Sequence, residues 1–455
     1  DPLSKAVFKY RELYAEALDG EVASARAPVP DDLERRAQDI KGAGYFMDAS
    51  QIGICRLENN SWLDCVEQQA LGFAIVLLVE HGRIPEQDNL AHDWVVPAVR
   101  AAADMLAAEI SVIVSGHIRQ MGFAARCHIP GHEFLDSERL AVLSGLAVRD
   151  KEALINPYVG KRFSLAVIAT DYELAIDRPL AASSLKARNF GYWLGKNGAR
   201  SGRERNRRAA RPSHYSRYPM EQVKRVERPT TLILDEEVPR VPKRGAFFER
   251  ALQGDLGPKS QRERGRFSFK HPLSQSLLST IRSLVPHQDG EVSETQGTRY
   301  EDPEANAKAV KALSYFLGSD LTGICEIPRY AWNSHKEDGS EIEMYHRYAI
   351  VMLIDQGYET MEGASGDDWI SGVQSMRGYL RGAEIAGVMG ELLRDLGFSS
   401  RSQTNADGDV QQIPLILWAG LGELSRIGEL VLNPFVGPRF KSVVLTTDLP
   451  LAVDR

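Results

Sequence analysis

The sequence predicts an α/β protein made of one unit used twice in tandem, each unit a mixed sheet covered by helices. Two observations predict it. Long stretches of the chain match each other at constant spacing, and inside each match apolar runs rich in β-branched residues alternate with helical patterns. "FMDASQIGICRL" at 46–57 matches "FLGSDLTGICEI" at 316–327, and "FAIVLLVEHG" at 73–82 matches "YAIVMLIDQG" at 348–357. The spacing of the second pair then continues without a gap: Asp93-Trp94 meets Asp368-Trp369, "RQMGFAAR" at 119–126 meets "RDLGFSSR" at 394–401, and Gly145-Leu146 meets Gly420-Leu421. Beyond that point the later copy is two residues longer, because Asn156-Pro157 pairs with Asn433-Pro434. Residues from about 46 to 174 and from about 316 to 451 are therefore read as two copies.

The elements follow in order. Ahead of the second "GIC", "DPEANAKAVKALSYFLG" reads as a helix, with Asp302 as its cap, Pro303 at the first helical position and Gly318 as the stop. "YAIVMLI" and "KSVVLTT" read as buried strands. Between them "SMRGYLRGAEIAGVMGELLRDLGF" has helical spacing of its apolar positions and ends at Gly397. The stretch 175–300 has no copy, and the expected division is 1–174, a linker or insertion over 175–300, and 301–455. Within the insertion "ARSGRERNRRAARP" reads as a solvated loop, with a docking patch for an acidic redox partner or nucleic acid as the rival reading.

Composition narrows the class. The chain has 455 residues, 55 basic and 62 acidic, a net charge of −7 and 43% hydrophobic residues. That charge gives no reason to expect nucleic acid or a membrane surface as the main partner. The most apolar run, "LGFAIVLLVE", falls well short of the roughly 20 residues a membrane helix needs. The arginine pair of "ERRAQDI" lacks the apolar core of a secretory leader. Four scattered cysteines without a C-x-x-C suit a reducing compartment, so a cytoplasmic location is expected. Cys55 and Cys325, each ending a "GIC", read as small buried hydrophobes. "CHIPGHE" offers Cys127, His128 and His132, but Pro130-Gly131 prevents a helix from presenting both histidines on one face, and no metal is expected there. His271 in "FKHPLS" reads as structural.

Differences between the copies locate the chemistry. Tyr379 aligns with Asp104, Ser375 with Arg100 and Lys441 with Ser164, while "GLGELSRIGE" replaces the shorter "GLAVRDKE". One copy thus gathers a phenol, an ammonium, a hydroxyl and a glycine-rich loop that the other lacks. Gly420, Gly422 and Gly428 carry no Cβ, so backbone amides there can approach a planar or phosphate-bearing ligand. The glycine spacing matches neither a dinucleotide fingerprint nor a P-loop, and an ordinary turn between helix and strand is the rival reading. "NPFVGPRF" follows as a rigid turn and delivers Lys441 to the next strand. A tyrosine is a poor acid at neutrality unless a nearby positive charge stabilises its anion. Lys441 facing Tyr379 would supply that charge and make the phenol a usable proton donor. For either residue alone the ordinary reading, a helix-surface or half-buried core aromatic and an exposed edge-strand lysine, is favoured; their joint absence from the aligned copy shifts the balance toward function.

"GVMGELLRDLGF", "VQQIPLILWAGLGELSRIGELVLNPFVGPRFKSVVLTTDLPL" and the upstream "FFERALQGDLGPKSQRERGRFSFKHPLSQSL" resemble the cobalamin-dependent reductive dehalogenases over most of 240–455. The internal repeat and the lack of a twin-arginine leader resemble their soluble catabolic branch. The resemblance implies two cobalamin-binding-type units, the first vestigial. It implies Tyr379, Lys441 and Ser375 over the cobalt, with Tyr379 as proton donor. It implies cobalamin held base-off by Gly420, Leu421, Gly422, Glu423, Leu424, Arg426 and Gly428 and by the turn residues Asn433, Pro434, Gly437 and Arg439. Halophenols or halo-hydroxybenzoates are the implied substrates and a reductase or ferredoxin-type protein the implied electron donor, with a homodimer left open. The family's two [4Fe-4S] clusters need eight cysteine ligands that four scattered cysteines cannot supply, so a two-cluster ferredoxin-like domain, and a further carboxylate-binding residue, are expected after 455. Two rivals stay open: an epoxyqueuosine-reductase-like enzyme acting on tRNA, and a non-catalytic cobalamin-binding protein. The repeat and the absence of a basic aromatic surface favour the dehalogenase.

Overall fold

The computed structural model describes residues 1–63, 71–181, 210–364, 368–428 and 430–454. The basic run at 199–212 lies almost wholly outside the described residues, as does Cys65. Two compact units are present, a first made of 7–83 and 97–211 and a second made of 1–6, 84–96 and 212–455.

In the first unit α1 (Leu33–Phe46) precedes β1 (Gln51–Arg56), and β2 (Phe73–Glu80) precedes the long helix α2 (Ala91–Gln120). Then come β3 (Ala125–His128), α3 (Ser137–Leu143), a hairpin of β4 (Val148–Asp150) and β5 (Ala153–Ile155), and β6 (Phe163–Thr170). The sheet order is β1-β2-β6-β3, and every neighbouring pair is antiparallel. The expected mixed sheet is thus corrected to an antiparallel one. The reason is local to the crossover: β2 and β3, joined through α2, run parallel to each other, but β6 is inserted between them and opposes both.

The second unit has the same order of strands. Two helices, α4 (Pro258–Phe269) and α5 (Pro272–Leu284), lead to α6 (Pro303–Leu317). Asp302 caps α6 by accepting from the Glu304 amide, Pro303 occupies its first turn, and Gly318 ends it at φ 114°. β7 (Leu321–Glu326), β8 (Tyr348–Asp355), α7 (Trp369–Asp395), β9 (Ser400–Gln403), α8 (Gln412–Trp418), the hairpin of β10 (Glu423–Leu424) and β11 (Val431–Leu432), and β12 (Phe440–Thr447) follow. The sheet order is β7-β8-β12-β9, again antiparallel throughout. β8 is buried almost end to end and β12 over its last five residues, which is why they read as apolar runs. Below them a core built on Trp332, Leu321, Val351, Leu415 and Val431 also takes in Met220, so the chain from 210 to 235 packs into this unit.

Candidate active site

A stripe of small residues on α7, Gly378, Gly382, Ala386 and Gly390, recurs every fourth position and so lies on one face of the helix. β12 lies against it with Lys441, Val443 and Leu445 on its facing side. The approach is close. A Cβ on Gly378 would stand 2.8 Å from Lys441 Cγ, one on Gly382 3.0 Å from Val443 Cβ, and one on Gly390 3.3 Å from Leu445 Cδ1. This seam carries the Lys441 side chain to Tyr379, with Nζ 5.1 Å from the centre of the phenol ring.

Ser375 lies one turn before Tyr379 and is buried. Its hydroxyl donates to the Ser371 carbonyl at 3.3 Å and is 3.5 Å from the Gln356 amide nitrogen. Gln356 follows the end of β8, next to the register position where Lys441 faces Ile354. The three residues expected to be catalytic therefore meet at one end of the β8–β12 pair. Gln356, buried in the structure, was not anticipated; the available signal was only its place in a short polar stretch directly after a strand. Lys270, at the end of α4, was also missed: its ammonium is 3.0 Å from Ser371 Oγ, one turn before Ser375.

The loop residues expected to hold the cofactor divide into two groups. The glycine-rich stretch is a β-hairpin, not a plain helix-to-strand turn: Glu423 pairs with Leu432 and Leu424 with Val431. Leu421 is a core residue, and a Cβ on Gly422 would meet Val431 Cγ1 at 2.7 Å, so both positions answer to packing inside the protein. Asn433 is buried and closes the turn: its amide donates to the Leu421 carbonyl at 2.6 Å, and its side-chain oxygen accepts from the Phe435 and Val436 amides. Arg439 pairs with Asp355 at 2.9 Å, and Arg217 and Tyr218 bind the same carboxylate at 2.7 and 2.6 Å. Burial alone would raise the Asp355 pKa, but the hydrogen bonds from Tyr218, the Gly357 amide and Arg439, with the Arg217 charge, hold it below the usual carboxylate value. Glu423 accepts from the Thr230 and Thr231 amides and ties the 229–235 segment to the hairpin.

The other positions face outward. Gly428, at φ 79°, has open space where a Cβ would stand, as does Gly437 at φ 58°, and Arg426 and Pro434 are exposed. Ile427 is 69% exposed, with Leu430 and Leu432 also exposed near it. A cavity of about 350 Å³ is bordered by Gly420, Gly422, Leu432, Asn433 and Pro434 and by the facing segment 223–229. An open glycine tip, exposed apolar side chains and an adjoining cavity fit part of a large, partly apolar ligand such as a corrinoid.

Iron–sulfur clusters do not fit the described residues. Burial pushes the Cys55 thiol up to about 12 and raises those of Cys127 and Cys325, so all three resist forming the thiolates a cluster needs. Among the described residues no group of three or more His, Cys, Asp or Glu could hold a metal ion. Cys127 donates to Ser115 Oγ at 2.9 Å, His128 is buried between the rings of Trp62 and Phe134, and His132 pairs with Glu12 at 2.9 Å.

In the first unit the aligned positions hold another set. Ser164 Oγ is 3.4 Å from His81 Nε2, and Arg100 is 3.8 Å from Asp104. Burial raises the Asp104 carboxyl above its usual value against the hydrogen bond from Ser164. A carboxylate and a hydroxyl thus stand where the second unit has a phenol and an ammonium.

No family model matches the chain, and no curated protein does. Solved structures do. A catabolic reductive dehalogenase, NpRdhA, superposes with a TM-score of 0.94 at 48% identity, over 100% of this chain and 66% of that one. A reductive dehalogenase structure described as suggesting a mechanism for B12-dependent dehalogenation gives 0.95 at 48% identity, covering 100% and 66%. NpRdhA in complex with 3-bromo-4-hydroxybenzoic acid gives 0.94 at 48%, covering 100% and 65%. The chain thus spans about 66% of the length of the dehalogenases it matches. With that similarity over its entire length, the chain belongs to the reductive dehalogenase family, on its catabolic branch.

Proposed function

We propose that the protein removes halide from halogenated aromatics, halophenols or halo-hydroxybenzoates, in a reaction that takes one aryl halide, two electrons and one proton to the arene and a halide ion. One observation carries the reading: in a chain of this family, the Lys441 ammonium lies over the Tyr379 ring, one helical turn from a buried Ser375. Cobalamin would be held by the outward residues of the glycine hairpin and the 433–439 turn, and when bound it would supply the reducing electrons for loss of halide. Tyr379 gives its hydroxyl proton to the ring carbon that loses halide. Lys441 stabilises the phenolate left behind, and the phenol is restored by a proton from solvent. Ser375, its hydroxyl fixed between Ser371 and Gln356, orients the substrate's polar substituent. A reductase or ferredoxin-type protein would be the electron donor, with iron–sulfur clusters of the family's kind relaying the electrons.

The repeat is part of the same proposal. The shared strand order and the aligned differences support a duplication after which the first unit became a scaffold and the second kept the chemistry.

The test is halide release from an ortho-halogenated phenol under strong reductant, using full-length protein with cobalamin and clusters restored. Halide release is expected, and Tyr379→Phe is expected to cut it by roughly 10²-fold or more while leaving the corrinoid spectrum intact. No halide from any halophenol with corrinoid bound would sink the activity, and unchanged turnover in Tyr379→Phe would sink the role of the phenol.

A further inference from the structure

We propose that Gly378 is a positioning residue for the Tyr379–Lys441 pair, acting through the space it leaves; the proposal rests on the reading that this pair handles the proton. A Cβ at 378 would stand 2.8 Å from Lys441 Cγ and 3.0 Å from Lys441 Cβ. Nonbonded carbons settle at about 3.5–4.0 Å. The obstructed atoms are not the mobile tip of the lysine but its base, fixed to β12, whose backbone at 441 is paired with Ile354 of β8. Relief would therefore require a different rotamer at the root of the chain or a shift of the strand end. Either one moves the ammonium, because everything beyond Cγ swings with it. Tyr379 is the next residue on the same helix, so a displaced stem changes how the ammonium sits against the phenol ring.

The first unit supplies a natural control. At the aligned positions Ala103 stands for Gly378 and Ser164 for Lys441, a larger helix residue set against a shorter strand residue. The exchange repeats one turn on, where Gly382 and Val443 correspond to Ala107 and Ala166. Side-chain volume is traded across the seam in both cases. Helix stability does not ask for glycine at 378: it lies in the interior of a 27-residue helix, where alanine is the better helix former. What glycine provides at 378 is passage for a long cationic side chain. A sequence scan for catalytic groups passes over it because it has none.

The experiment compares Gly378→Ala, Lys441→Ser, Tyr379→Leu and the double variant Gly378→Ala/Lys441→Ser in the full-length protein. Lysines are carried as 13C-dimethyl derivatives, and the Lys441 signal is assigned by its loss in Lys441→Ser. In the unchanged protein that signal is expected upfield of ordinary lysines, owing to the Tyr379 ring. The upfield shift should collapse in Gly378→Ala as it does in Tyr379→Leu. In the holoenzyme Gly378→Ala should lose at least tenfold in halide release, matching Lys441→Ser, with little change in KM. The double variant should regain any thermal midpoint lost by Gly378→Ala while staying inactive, since the short serine removes the obstruction without restoring the cation. A retained ring shift with full turnover in Gly378→Ala overturns the proposal. So does a destabilised Gly378→Ala that the double variant fails to rescue, because the clash would then not be with Lys441. Full activity in Lys441→Ser would instead refute the proton-handling reading, leaving the ring shift to decide on its own whether Gly378 places the ammonium.

Discussion

Asp355 is the residue on which the polar end of the β8–β12 pair depends. Its side chain is only 3% exposed, yet it receives two guanidinium groups and a phenol. Removing its charge takes the carboxylate from Arg439 and one of two from Arg217, which keeps Asp320 at 3.3 Å; the two arginines are each about a fifth exposed. Breaking a buried pair from one side costs about 3–5 kcal/mol, and the partial exposure of the arginines puts Asp355→Asn at the lower end, measurable as a shifted urea midpoint. The pH dependence has a definite sign. A carboxyl held below its ordinary value of about 3.9 contributes stability that is fully present above that pH and is lost as pH falls through the lower folded value. The stability gap between the unchanged protein and Asp355→Asn should therefore be constant from pH 5 to 7 and shrink below about pH 4. A gap that persists at lower pH would mean that the carboxyl's charge is not what matters. Arg439, expected at the cofactor, is bound to Asp355 in the structure; its spacing after "NPFVGP" gave no sign of a partner 84 positions earlier in the chain.

At the scale of elements, α7 decides whether the site assembles. It starts where Asp368 accepts from the Ser371 amide at 3.1 Å, one turn before Ser375 and two before Tyr379. Asp368→Ala is expected to lower stability by about 1 kcal/mol and to speed amide exchange over 371–375 but not over 385–393, where the helix is clamped on β12. Uniform exchange along the helix would contradict that placement of the cap's effect. The hairpin shows how two inserted residues are absorbed. In the first unit Asp150 pairs with Ala153 across a two-residue tip, with Lys151 at φ 56°. In the second the aligned strands pair at Glu423–Leu432 and Leu424–Val431, and the extra length sits in the tip that carries Gly428. Hairpin pairing on either side keeps the insertion out of the core, so the loop could change while the fold stayed the same.

At the scale of the whole molecule, each unit ends its sheet with the same device. Asp177 accepts from Lys41 at 2.6 Å and from the Ile54 amide at 2.7 Å; Asp454 accepts from Lys311 at 2.6 Å and from the Ile324 amide at 2.8 Å. In both cases the aspartate's own amide donates back to the same isoleucine carbonyl. The chain leaving the last strand is thereby tied to the first strand of its own sheet. Because the ion pairs are a quarter to a third exposed, Asp177→Ala and Asp454→Ala should each cost only about 1 kcal/mol. Faster amide exchange at Ile54 in the first variant and at Ile324 in the second is expected; exchange at both sites in either variant would show that the ties do not act unit by unit. What the sequence by itself determined was whatever lies in local pattern and self-comparison: the caps of α6, the buried strands, the two matched regions, and the placing of Tyr379, Lys441 and Ser375 on one helix and one strand. Those depend on periodicity and on neighbours a few residues away. Only the tertiary structure decided that β6 enters between β2 and β3, that Leu421, Gly422 and Asn433 serve internal packing while Gly428 faces outward, and that Gly378 makes room for Lys441. Each of these is a contact between residues far apart in the chain, set by the shape of the packed seam and not by any local preference.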